Sequence, residues 1–307
     1  MKTTGLGVTL LDLFTFTLGK LHFKRLHRIF YSIYLDKVIH FVSNACCETI
    51  QKYKNESVSI NQDSMPISTI YSIWFQGEEN APEIVKFCLN RLRIVAKQYH
   101  LALHVYNEEE LNKLAIDQKI KDKRKKGLLD DAVYSDICRS FLLSHYGGIW
   151  CDATLLVRSF PQDVFNNEFM SIRQLERVAS DPSSFKDDNE TKWTSFFMAS
   201  QNGSIVTSFL YDMYVEYFSK YDIKPLYLLL DVILRIGYLE IPSITKAIDK
   251  NFATRHSVHE LFYYLDKPYS QEKFDMILNE NYVHKLSYKK SFSKEGTMYG
   301  ALLSHQF

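Results

Sequence analysis

The sequence predicts an α/β fold, a mostly parallel sheet covered by helices. Short runs rich in β-branched and aromatic residues alternate with amphipathic helical segments between residues 70 and 157. The runs and segments are punctuated by capping residues and glycines where a strand or helix must stop. The chain has 307 residues, 46% hydrophobic and 24% charged, enough to bury a core without disulfide or metal staples.

The elements follow in order. Residues 70–75 form the first strand, stopped by Gln76 and Gly77. Asn80 caps a helix with Pro82 in its first turn, and Ile84, Val85, Cys88, Leu89 and Leu92 share one face. A second strand covers 101–106, a short helix 108–116, and a basic loop 119–126. Asp130 or Asp131 starts a strong helix through Val133, Tyr134, Ile137, Cys138, Phe141 and Leu142, and Gly147-Gly148 ends it. Residues 149–157 read as one buried strand, and 193–200 as another. Helices are expected over 204–220, 226–238 and 241–250. No internal repeat is present.

A polar stretch at 55–66 separates an N-terminal helical segment, 1–64, from the main domain, 65–307. Residues 5–19 are apolar but too short to span a bilayer, and Asp12 interrupts them. Lys20, Lys24, Arg25 and Arg28 follow that run instead of preceding it, which makes a poor signal peptide. Residues 10–41 mix apolar and basic side chains at helical spacing. They suit either peripheral contact with an anionic membrane or packing on the main domain.

Composition excludes several functions. A net charge of +1 gives no field for nucleic acid, and the basic stretch at 119–126 lacks interleaved aromatics. No G-x-G-x-x-G follows a strand, which argues against a dinucleotide oxidoreductase. Five cysteines, an odd number without a C-x-x-C pair, point to a reducing cytoplasm.

Chemistry in such a sheet is expected at the carboxyl ends of strands. Trp74-Phe-Gln-Gly-Glu-Glu79 ends the first strand with an aromatic ring and a glycine, which suits a flat ligand. In Tyr134-Ser-Asp-Ile-Cys-Arg139, Asp136 and Arg139 share a helix face. This is an ordinary intrahelical ion pair or part of a site. His145-Tyr-Gly-Gly-Ile-Trp-Cys-Asp-Ala-Thr154 brings one carboxylate, Asp152, out of an apolar strand, where charge must be paired or functional. The sequence shows no structural partner for Asp152, so replacing it is expected to leave stability nearly unchanged. Asp231 lies in an apolar helix, where a salt bridge, a cap or a functional role would explain it.

These three segments, with Ser195-Phe-Phe-Met-Ala-Ser-Gln201, Leu229-Leu-Asp231 and Val283-His-Lys-Leu-Ser-Tyr-Lys289, resemble the capsular-polysaccharide-synthesis glycosyltransferases. These are relatives of the family-32 sugar transferases and, more distantly, of the clostridial toxin glucosyltransferases. The resemblance implies a GT-A fold, with a Rossmann-like sheet binding a nucleotide-sugar donor, and transfer with retention. It implies that Trp74 and Gln76 frame the nucleotide, and that Ser135, Asp136 and Arg139 hold the donor's sugar and diphosphate. Asp152 matches the first Asp of a D-x-D motif. Thr154 stands where the second Asp would be, so the implied Mn²⁺ or Mg²⁺ would be held by Asp152, Thr154 and His284. Asp231 is a candidate near the acceptor, a glycan or lipid-linked glycan. A toxin-like transferase that modifies a protein hydroxyl and a nonenzymatic sugar-binding protein are the competing expectations.

Overall fold

The computed structural model describes residues 24–55, 66–174, 192–226, 228–254 and 257–305. Helices α1 (Lys24–Ala45) and α2 (Cys47–Asn55) come first. Then β1 (Thr69–Ile73), α3 (Glu83–Gln98), β2 (Ala102–Tyr106), α4 (Glu108–Lys113), α5 (Gln118–Lys125), α6 (Asp131–Tyr146) and β3 (Gly148–Cys151) alternate. They are followed by β4 (Leu155–Val157), α7 (Asp163–Asn166), β5 (Phe169–Gln174), β6 (Phe197–Ser200), α8 (Ile205–Lys220), α9 (Leu229–Glu240) and α10 (Pro242–Ile248). The last elements are β7 (Phe252–Thr254), α11 (Glu260–Tyr264), α12 (Gln271–Glu280), β8 (Val283–Lys285) and α13 (Met298–Ser304).

The expected α/β architecture is present. One six-stranded sheet has the order β2-β1-β3-β6-β5-β7. Its first half is parallel, with Ile70 opposite both Leu103 and Ile149. Strand β6 then runs antiparallel to β3 and β5, and β7 returns parallel to β5. Strands β4 and β8 form a separate antiparallel pair. Helices α6, α8 and α9 cover one face with Ile137, Phe141, Phe209, Tyr214 and Ile233 in one apolar cluster. The opposite face buries Ile149, Met170 and Phe197.

Local chemistry sets the ends of α6. The Asp130 side chain accepts from Val133 N at 2.9 Å, satisfying a free N-terminal donor. At the other end Gly147 has φ +66° and Gly148 φ +119°, conformations that an L side chain rarely adopts. The chain thereby turns directly from helix into β3.

Helices α1 and α2 join this core. Val38, Val42, Cys46, Ile50 and Tyr53 are buried in the same cluster as α8 and α9. Tyr34 Oη donates to Pro225 O at 2.9 Å, and Lys220 Nζ to Ala45 O at 2.8 Å. The apolar face of α1 from Tyr34 onward therefore packs on the protein. Residues 1–23 and most of the 55–66 boundary lie outside the described residues. No helix among the described residues is long and apolar enough to cross a membrane.

Three local expectations need correction. The basic stretch at 119–126 is largely helix α5: Asp117 caps it and Ile120 is fully buried, which anchors an otherwise polar segment. Asn80 lies in a 3-10 turn and donates to Gln76 O at 2.7 Å, while Pro82 precedes α3. Residues 149–157 are two strands, because Leu155 N turns back to Asp152 O at 2.8 Å. Strands β5, β7 and β8 were not foreseen. β7 and β8 have three residues each, too short to show a period.

Candidate active site

Asp152 occupies the corner where the chain leaves the large sheet at β3 and turns into β4. Its backbone N donates to Phe196 O at 3.0 Å, which fixes the corner to the segment entering β6. Three side chains hold the carboxylate. The Trp150 indole Nε1 donates to Oδ1 at 2.9 Å, and Arg139 Nη2 stands 3.5 Å from the same oxygen. Lys285 Nζ, from β8, donates to Oδ2 at 2.8 Å and to Thr154 Oγ1 at 2.6 Å. Asp152 is thus structurally partnered, contrary to the expectation from sequence.

Arg139 is the hub behind it. Its guanidinium stacks over Trp150 at 4.6 Å, pairs with Asp136 Oδ1 at 3.1 Å, and donates from Nη1 to Ser195 O. The i, i+3 pair read from sequence therefore extends across the sheet. Asp231 lies on α9, where Trp193 Nε1 donates to its Oδ1 at 2.9 Å. Two carboxylates, Asp152 and Asp231, are each oriented by an indole N–H. Buried Tyr214 lies in the field of Asp136 and Asp231, with its hydroxyl unpaired.

Burial pushes the Asp136 carboxyl up to about 7; Arg139 pulls it down, but nearby Asp231 and Asp152 add like charge. Burial would also raise Asp152, yet Lys285 and Arg139, with the hydrogen bonds from Lys285 and Trp150, hold it at about 2. The two act oppositely on stability. Between the ordinary value of 3.8 and about 7, folded Asp136 keeps a proton that the unfolded chain has released, so its contribution falls as pH rises. Asp152 contributes stability above its ordinary 3.8 and loses it as pH falls through about 2. Asp136→Asn should therefore remove a decline of up to about 1.4 kcal/mol per pH unit in that window. Urea unfolding of both proteins between pH 4 and pH 7 checks this; parallel profiles would refute the assignment.

The remaining expected site residues are placed as follows. Half-buried Ser135 precedes Asp136 on α6. Trp74 and Gln76 follow β1. The Trp74 indole N–H is buried without a partner, its ring meets Tyr288 edge-on at 5.2 Å, and Gln76 is exposed. His284 is fully buried, its Nε2 lies 3.2 Å from Leu278 O, and burial lowers its pKa to about 4. Neighbouring residues of a strand point to opposite faces, so it is Lys285, not His284, that reaches the Asp152 corner. Lys285, Trp150 and Trp193 were missed in these roles, although Lys285 lies inside a motif already singled out.

This donor set does not fit a divalent cation held by the protein. Asp152 is a lone carboxylate with both oxygens engaged, Thr154 offers a neutral hydroxyl already bonded to an ammonium, and His284 is turned into the core. Among the described residues, no group of three or more His, Cys, Asp or Glu is arranged to hold a metal.

Comparison with known proteins gives three results. The model of the family described as capsular polysaccharide synthesis protein matches residues 19–302. No curated protein matches the chain. Among solved structures, PaToxG glycosyltransferase is similar with a TM-score of 0.36 and 14% identity, over 70% of this chain and 80% of that one. At that level the structural likeness does not bear on activity.

Proposed function

The chain belongs to the family of capsular polysaccharide synthesis proteins, and from that premise we propose that it is a GT-A-type glycosyltransferase. It takes a sugar from a nucleoside diphosphate, UDP foremost, and adds it to a growing lipid-linked capsular or cell-surface polysaccharide. The observation that carries the reading is the Asp152 corner. It lies at the carboxyl end of a parallel strand, with two cations gathered on one carboxylate. Such a place suits an anionic, hydroxyl-rich ligand. The capsular acceptor is part of this reading and is supported by the family's description.

Trp74 and Gln76, after β1, frame the base; the unpaired indole N–H of Trp74 is available to a ligand acceptor. Asp152 orients the ribose. Ser135 and Asp136 serve the donor's sugar hydroxyls. Arg139 fixes Asp136 and Asp152 relative to each other and adds positive charge behind them. In the transfer, the bond from the anomeric carbon to the β-phosphate oxygen breaks, and its electron pair leaves with the diphosphate. The acceptor hydroxyl bonds to the same carbon on the vacated face, giving retention, and its proton passes to the departing phosphate. Asp231, oriented by Trp193, faces the acceptor side. The low-dielectric surroundings strengthen the electrostatic stabilisation of the leaving group. Peripheral contact with the inner membrane face, through the residues preceding Lys24, is the remaining part of the reading.

The test is a panel of nucleotide sugars assayed by nucleotide release, with and without capsular oligosaccharide. Turnover of one donor, stimulated by the oligosaccharide, is expected. Donor binding without any turnover would instead make the chain a nonenzymatic binder. Transfer to protein hydroxyls, and not to glycan, would assign it the toxin-like activity.

A further inference from the structure

We propose that Lys285 is the cation that binds and stabilises the leaving diphosphate, at the position where a D-x-D enzyme would use a metal ion. The inference rests on the nucleotide-sugar reading and assigns a residue that reading does not include. Its basis is geometric. Strand β8 pairs with β4, placing Lys285 opposite Leu155 and just past the Asp152 corner. Lys285 N donates to Val258 O at 2.7 Å, so the backbone is fixed from both sides. From there Nζ bridges Asp152 Oδ2 and Thr154 Oγ1, the two positions that correspond to the carboxylates of D-x-D.

An ammonium has three donors, and these two bonds leave one N–H for a ligand. The side chain is 19% exposed, so it is accessible from the site while its stem is covered. Phe196 supports the charge, its ring centre 5.6 Å from Nζ. A divalent ion at the same corner would have to displace Lys285 from Asp152 and then sit beside that ammonium and Arg139, with the neighbouring carboxylate, Asp136, already paired with Arg139. Like charges at such separations repel strongly in a partly buried site. Arg139 divides its charge between Asp136 and Asp152, so the corner sets two cations against two carboxylates, and it is the remaining N–H of Lys285 that is offered to a diphosphate. The Thr154 hydroxyl then has a clear role: it holds the ammonium without neutralising it, which an aspartate there would do.

The measurement is calorimetric binding of UDP and UMP, and of GDP and GMP, to the full chain in chelator and in excess Mn²⁺. Native protein should bind its diphosphate equally in both conditions. Lys285→Met should weaken the diphosphate by about tenfold or more, the scale of a charge-assisted hydrogen bond, with a much smaller effect on the monophosphate. Lys285→Arg should keep most of the diphosphate affinity, which a merely structural lysine would not require. In the double variant Lys285→Met, Thr154→Asp, Mn²⁺ should restore diphosphate binding. Native diphosphate affinity that rises tenfold with Mn²⁺ would overturn the inference, as would equal losses for diphosphate and monophosphate in Lys285→Met. If Lys285→Met fails to fold, the metal response of the native chain and the behaviour of Lys285→Arg still decide it. Failure of every nucleotide to bind would overturn the nucleotide-sugar reading itself, a result distinct from binding that ignores Lys285.

Discussion

Asp152→Asn should lower donor turnover by at least about a thousandfold, on the scale of removing a preorganised charged group from an active site. Asparagine keeps the shape and can still accept from the Trp150 indole. It cannot hold both cations. Lys285 would lose its ion pair and swing toward solvent, while Arg139 would keep Asp136 and Ser195 O. The cost in stability should be about 1–3 kcal/mol, since one partly exposed cation can rehydrate and the buried one retains partners. Turnover per folded molecule, with the folded fraction taken from circular dichroism and urea titration, separates the two effects. Undiminished activity per folded molecule would make Asp152 purely structural.

Gly148→Ala should be the most damaging small substitution in the sheet. Gly148 has φ +119°, and a Cβ there would stand 2.7 Å from Thr69 O and 2.7 Å from a Tyr71 ring carbon. The carbonyl belongs to β1, whose pairing with β2 and β3 prevents it from yielding. A loss of about 3–5 kcal/mol is expected from strain and overpacking together. Gly127→Ala is the control, because Gly127 also has positive φ, +70°, but nothing lies within 4 Å of its added Cβ. It should cost only about 1–2 kcal/mol. Urea midpoints that are equal for the two variants would show that the close approach at β3 is not what requires glycine.

The parts of the site legible in sequence were those whose chemistry conflicts with their surroundings. Asp152 in an apolar strand and Asp136–Arg139 on one helix face stand out because charge is costly where neighbours are buried. The alternating half of the sheet was equally legible, since β1, β2, α6 and β3 each carry a clear period or a strong cap. Lys285 did not stand out. A lysine is unremarkable in a polar C-terminal stretch, and its partners Asp152 and Thr154 lie 133 and 131 residues earlier in the chain. Choosing Lys285 over His284 requires knowing which face of β8 points inward, and three residues do not reveal that. Helix α5 was missed for a related reason: its single buried anchor, Ile120, is outweighed in composition by lysines and arginine.

The three tryptophans of the chain are Trp74, Trp150 and Trp193. Two of their indoles donate to the site carboxylates Asp152 and Asp231, and the third has an unpaired N–H beside the strand end assigned to the base. Tryptophan emission, excited at wavelengths that the 20 tyrosines do not absorb, therefore originates from the proposed ligand site and its supports. A nucleotide that alters the Asp152 hydrogen bonds, or covers Trp74, should shift or quench emission without any attached dye. The chain carries its own optical titration.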